Sequence, residues 1–209
     1  MNLPNKLTIF RIILVPIMAI IPFLNIQASW LNIPVEFWIM NIIFIIASIT
    51  DTLDGKIARK RNLITTFGKF LDPLADKILV LAAMMILVEK NLLPAIIPII
   101  VIAREFMVSG YRLVAAQKQG EVIAASFWGK LKTTTQMIAI ILAFININNT
   151  NSFGNFVNGN LSGIELVINI LTTVFMVVST VATIFSGWDY LKNSKDLFKD
   201  WLYINIIKK

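Results

Sequence analysis

The chain divides into six apolar stretches, roughly 7–24, 35–58, 70–89, 92–116, 128–147 and 163–189, separated by short polar connections. A helix needs about 20 mostly apolar residues to cross the hydrocarbon of a bilayer, so each stretch is long enough to do so. The 209 residues are 57% hydrophobic and 15% charged, with a mean hydropathy of +0.76. So few polar residues cannot coat a water-soluble domain of this size. The expected fold is therefore an all-α integral membrane domain of six transmembrane helices, occupying 1–209 as one unit. The first stretch is read as a retained helix rather than a secretory signal, because its apolar run is too long and contains Pro16 and Pro22.

Charge gives an orientation. Of the 19 Lys and Arg residues, all but Lys90 fall at the N-terminus, in the connections between helices 2 and 3 and between helices 4 and 5, or in the tail. With six spans, all of those regions lie on one side, and positive residues mark the cytoplasm. The expectation is a multi-pass protein of the cell (plasma) membrane with both termini cytoplasmic. The net charge of +7 is then loop charge, with no need for nucleic acid. Residues 146–163 are uncharged and rich in Asn, Gly and Ser, as an external loop would be. The tail, 190–209, mixes lysines with Leu197, Phe198, Trp201 and Leu202, a pattern suited to an amphipathic segment on the anionic inner leaflet.

The chain has no histidine and no cysteine. Thiol nucleophiles, disulfides, Ser-His triads and Cys/His zinc sites are thereby excluded. A bound metal must be a hard cation on oxygen ligands. Acid–base chemistry falls to carboxylates, lysine or tyrosine.

Four aspartates, Asp51, Asp54, Asp72 and Asp76, cluster at the cytoplasmic end of helix 2 and the start of helix 3. At 100° per residue, Asp51, Asp54, Gly55, Ala58 and Arg59 cover roughly 140° of one helix face, and Gly68, Asp72 and Asp76 roughly 80° of the next. The short connection between them makes the helices antiparallel neighbours, so the two acidic faces meet in a polar cavity at the cytoplasmic side. Four carboxylates together repel strongly. Arg59 alone cannot compensate them, so one or two divalent cations are the natural counter-charge, of the kind that assists phosphoryl transfer. Gly55, Ala58 and Gly68 leave room for a bulky substrate, although small residues also allow close helix packing.

Asp51-Thr-Leu-Asp54-Gly55-Lys-Ile-Ala58-Arg59, eight intervening residues, Gly68, then Asp72 and Asp76 resembles the signature of the CDP-alcohol phosphatidyltransferase family at all eight specified positions. The six-helix layout extends the resemblance over essentially the whole chain. The resemblance implies a polar active site that uses CDP-diacylglycerol as donor and Mg²⁺ or Mn²⁺, two ions per site, as cofactor. It makes Asp51, Asp54 and Asp72 metal ligands, and Asp76 a ligand and general base. It places Gly55, Ala58, Arg59 and Gly68, with Asn5, Thr8 and Arg11 at i, i+3, i+6, near the cytidine nucleotide, and implies a homodimer. Asn5 as a helix cap and Arg11 as an inner-leaflet anchor are the plainer alternatives.

The segments flanking the signature, PNKLTIFR, RKRNLITTFGKFLDPLADK and REFMVSGYR, are most similar to the branch of the family that makes phosphatidylglycerol phosphate, which implies sn-glycerol 3-phosphate as acceptor. Arg104 and Arg112, eight residues apart on one side of helix 4, and Lys130 and Lys132, at the start of helix 5, are candidates for its phosphate. Alternatively, Arg104 pairs with Glu105 or Glu121 and the lysines serve only topology. Glu36, Glu89, Glu165 and Asp189 lie at helix ends and are expected to be solvated. An inositol phosphate or phosphatidylglycerol acceptor, or a small cation transporter, are the competing readings. A transport site belongs near the midplane, whereas these acidic residues gather at one face.

Overall fold

The computed structural model describes the backbone of residues 3–60, 66–119, 127–145, 153–154, 157, 161 and 163–206, and the side chains of 5–51, 71, 74–111, 127–145, 153–154, 157, 161 and 163–192. Six α-helices are described: α1 (Leu3–Ile20), α2 (Val35–Lys60), α3 (Thr66–Glu89), α4 (Ile96–Gln119), α5 (Phe127–Phe144) and α6 (Gly163–Ile206).

The helix ends follow local chemistry. The first apolar stretch tightens to a 3₁₀ turn over Ile21–Leu24, where Pro22 has no N–H to donate to the α-helical ladder, and Asn25 closes it in the left-handed conformation (φ 46°). α3 ends in a Schellman motif: Asn91 (φ 57°) is the left-handed residue, and Leu92 N–H donates to Leu87 C=O at 2.8 Å. α6 departs from expectation. It has no proline after its start and runs unbroken for 44 residues, so 190–206 continues the last helix and is not a separate segment.

A small hairpin between α1 and α2 was not expected. Ser29–Trp30 (β1) pairs antiparallel with Ile33–Pro34 (β2). Leu31 and Asn32 both take positive φ (54° and 62°), as a two-residue type I′ turn requires. Trp38 Nε1 donates to Trp30 C=O at 3.2 Å, and the two indoles lie 5.2 Å apart, which ties the hairpin to α2.

The core is apolar and tightly filled: Met18, Met40, Phe44, Ala47, Ala83, Met84, Leu87, Ile140, Phe144 and Met176 are buried. The outer faces are apolar as well. Phe10, Ile13, Ile17 and Ile20 on α1, Ile42, Ile46 and Ile49 on α2, and Val167, Val174, Val181, Ile184 and Trp188 on α6 are exposed at helical spacing. Apolar stripes on this scale mark a surface solvated by lipid. Among the described residues, two helices, Asn5–Leu24 and Gly163–Lys192, are long and apolar enough to cross a membrane.

Ion pairs fix the direction of the helices. Glu36 at the start of α2 binds Lys90 just past the end of α3, Oε1 to Nζ 2.7 Å. Asp51, late in α2, lies within Coulombic reach of Asp76, early in α3. α2 and α3 are therefore antiparallel. Glu36 was expected to be solvated; instead it is 8% exposed, because Lys90 reaches it from a residue 54 positions on. Asn25, Gln27, Ser29 and Asn32 join this pair around a polar cavity of about 450 Å³. That cavity is remote from Asp51, about 22 Å along α2 at 1.5 Å per residue.

Candidate active site at one end of the helix bundle

Every helix contributes a polar side chain to the same end of the bundle. α1 brings Arg11, whose Nη1 lies 2.7 Å from Asp51 Oδ1 on α2. Arg11 is fully buried, too deep for the membrane-surface anchor that was the plainer alternative for it. Thr8 and Asn5, about one and two turns away on the same helix, are buried too. A buried arginine is tolerated only with an anion beside it, and Asp51 supplies one.

α3 contributes Asp76 and Lys77. Among the described residues, the charged groups around Asp76 are Asp51, Lys132, Arg11 and Glu105. Asp76 thus sits between two charge centres, the Arg11–Asp51 pair and a second cluster built on α4.

The second cluster centres on Glu105. Its Oε1 lies 2.5 Å from Lys132 Nζ on α5 and 2.9 Å from Arg104 Nη1, and its Oε2 lies 3.7 Å from Lys77 Nζ on α3. Lys77 also donates to Ser109 Oγ, whose hydroxyl donates to Glu105 C=O at 2.7 Å. Arg104 is fixed from its other side by α6: Nη2 donates to Ser186 Oγ, and the guanidinium lies 5.8 Å from the Tyr190 ring. Gly187 lies against the arginine stem, where a Cβ would make ordinary contact with Arg104 Cγ at 3.5 Å.

Of the residues nominated from sequence, the structure brings Asp51, Asp76, Arg104 and Lys132 to this end, with Asn5 and Thr8 on the adjoining part of α1. Asp54, Gly55, Ala58 and Arg59 lie on α2, Gly68 and Asp72 on α3, and Arg112 on α4; their side chains are outside the described residues. Lys130 is exposed while Lys132 is buried, because two residues turn a helix by about 200° and point neighbouring lysines apart. Arg104 takes the alternative partner foreseen for it, Glu105. Sequence reasoning placed Arg11 with Asn5 and Thr8 near the nucleotide but did not pair it with Asp51, and it passed over Lys77 and Glu105 as site residues. The juxtaposition of Arg104 with Glu105 inside an apolar stretch was the available signal for the latter.

The sequence pattern of the CDP-alcohol phosphatidyltransferase family matches residues 1–185. The chain belongs to this family. A CDP-diacylglycerol–glycerol-3-phosphate 3-phosphatidyltransferase of Bacillus subtilis (strain 168) is 44% identical over 203 residues, covering 95% of this chain and 97% of the relative. A Rickettsia bellii protein of the same name is 34% identical over 197 residues, 94% of this chain and 97% of the relative. One from Haemophilus influenzae is 45% identical over 145 residues, 66% of this chain and 73% of the relative.

Membership of the phosphatidyltransferase family raises the question of a metal. Among the described residues no group of three potential ligands gathers, but the side chains of Asp54 and Asp72, two of the four signature carboxylates, are not among those described. Asp51 and Asp76 fit such a role in two respects. They are hard oxygen donors in a chain without histidine or cysteine, and they stand close enough to repel each other.

Proposed function

We propose that this phosphatidyltransferase moves the phosphatidyl group of CDP-diacylglycerol to sn-glycerol 3-phosphate, forming phosphatidylglycerol phosphate and releasing CMP. The observation that carries this reading is the 44% identity over 95% of the chain to a relative named for that reaction. The cations gathered beside Asp76 support the acceptor, because a phosphate-bearing alcohol meets buried arginine and lysine with the charge they lack.

In this reading Asp51, Asp54, Asp72 and Asp76 hold two divalent ions, Mg²⁺ or Mn²⁺, which when bound neutralise the diphosphate and make CMP a better leaving group. Asn5, Thr8, Gly55, Ala58, Arg59 and Gly68 surround the cytidine nucleotide. Asp76 takes the proton from the acceptor hydroxyl as its oxygen attacks the lipid-side phosphorus. The bond from that phosphorus to the bridging oxygen breaks, and CMP carries the electron pair away. Arg104, Arg112 and Lys132 bind the acceptor phosphate, while exposed Lys130, turned away from Lys132, serves topology. The protein crosses the plasma membrane six times as a homodimer, with both termini and the active site on the cytoplasmic side.

The test is CMP release by purified protein supplied with CDP-diacylglycerol and Mg²⁺ or Mn²⁺. Release is expected on addition of sn-glycerol 3-phosphate and not with inositol phosphate or phosphatidylglycerol. Release with another acceptor alone would overturn the acceptor assignment, and no release with any acceptor would overturn the enzymatic one.

A further inference from the structure

Glu105 contacts three cations from three helices, yet neither the family signature nor the proposed chemistry gives it a task. Its carboxylate is the common partner of Arg104, Lys132 and Lys77. The three are not surface groups: their side chains are 12%, 7% and 32% exposed, and that of Glu105 is 20% exposed. Cations this close in a low-dielectric setting repel one another by several kcal/mol when nothing negative lies between them. Left alone, the two lysines would swing apart on their flexible stems, and the cluster would exist only once an anion had assembled it.

We propose that Glu105 is a positioning residue that pre-assembles the binding cradle for the acceptor's phosphate and thereby sets the preference for a phosphate monoester. This rests on the acceptor reading above and extends it. Among the described side chains, three cations meet at this one carboxylate, a local excess of positive charge. That matches a phosphate monoester, which carries roughly −1.5 to −2 at neutral pH, better than a phosphodiester or a neutral alcohol. The carboxylate draws Lys132 and Arg104 onto one oxygen and Lys77 towards the other, so the ordering of those side chains is complete before the acceptor arrives. Ser186 and the Tyr190 ring hold the guanidinium from the far side. The cluster adjoins Asp76 through Lys132 and Glu105. A phosphate held there leaves the acceptor's hydroxyl end close to the proposed base.

The experiment compares Glu105→Gln with the wild type in detergent micelles, following CMP release against sn-glycerol 3-phosphate, against glycerol, and against CDP-diacylglycerol. In the variant, KM for sn-glycerol 3-phosphate rises at least tenfold, KM for CDP-diacylglycerol stays within twofold, and the preference for sn-glycerol 3-phosphate over glycerol falls by the same tenfold. A merely structural role would move both KM values together and leave that preference intact. An unchanged KM for sn-glycerol 3-phosphate overturns the proposal. So does a lowered one, which would make Glu105 an obstacle that the phosphate displaces. Should Glu105→Gln fail to fold, Glu105→Asp keeps the charge and withdraws the carboxylate by one methylene; a threefold rise confined to the acceptor KM supports the proposal and no rise overturns it. Wild-type protein that ignores sn-glycerol 3-phosphate sinks the acceptor reading itself, a different result from an indifferent Glu105 variant in an active enzyme.

Discussion

A general base matters to turnover and little to ground-state affinity. Asp76→Asn is nearly isosteric, and it removes the proton acceptor while keeping a polar group between Asp51 and Lys132. The expected outcome is a fall in kcat of about a hundredfold or more, with binding of labelled CDP-diacylglycerol reduced by no more than a few fold. Normal turnover would show that the proton leaves by another route. The neighbouring carboxylate answers to a different constraint. Asp51 is 2.7 Å from a guanidinium with no exposure of its own, while Asp51 keeps 32% of its side chain accessible. Arg11 therefore depends on Asp51 more than the reverse. The pair lets an arginine stand inside an apolar helix at the point where α1 meets the acidic end of α2.

At the scale of the helices, side-chain satisfaction separates the two ends of the bundle. The site end is dense with ion pairs, whereas the middle holds two buried amides, Asn41 on α2 and Gln136 on α5, without a full set of partners among the described residues. Gln136 on α5 is 1% exposed; its Nε2 meets Met84 Sδ at 3.2 Å, and among the described residues its Oε1 has no partner. An unmet buried acceptor costs about 1–3 kcal/mol, and a bond to a thioether returns little of that. Gln136→Leu is expected to raise the unfolding midpoint in detergent, by roughly 1 kcal/mol of stability; a lower midpoint would mean that Oε1 is satisfied after all. What could be read from sequence divides along a related line. The facing of α2 and α3 was readable, because helical period and a short connection fix which residues share a side. The Glu36–Lys90 pair and the approach of Lys77 and Lys132 to Glu105 were not, because those partners come together only when separate helices pack. The hairpin at Ser29–Pro34 escaped because strands of two residues carry no periodicity. The tail was read as a separate segment because its composition changes at residue 190, yet no proline or glycine there interrupts the helix.

For the molecule as a whole, the alternation of the helices bears directly on its placement in a membrane. Arg11, Asp76 and Lys132 lie in the N-terminal halves of α1, α3 and α5, while Asp51 and Ser186 lie in the C-terminal halves of α2 and α6. These polar residues nevertheless share one end, so successive helices run in opposite directions, and the positive loops predicted to be cytoplasmic are those nearest the site. Lys90 is the exception to the charge bias, and it is the lysine that Glu36 pairs with at the opposite end. One lysine there, against the other 18 Lys and Arg residues, leaves the bias that sets orientation intact. Because the chain has no cysteine, single cysteines can report sidedness without a background. Ala95, between α3 and α4, and Lys6, on α1, are both exposed, and they lie at opposite ends of the bundle. In intact cells, a membrane-impermeant maleimide is expected to label Ala95→Cys, and to label Lys6→Cys only after the membrane is opened. Labelling of both from outside would mean that the two ends do not face opposite compartments. The reverse pattern would turn the molecule over and put the aspartates on the side away from cytoplasmic glycerol 3-phosphate.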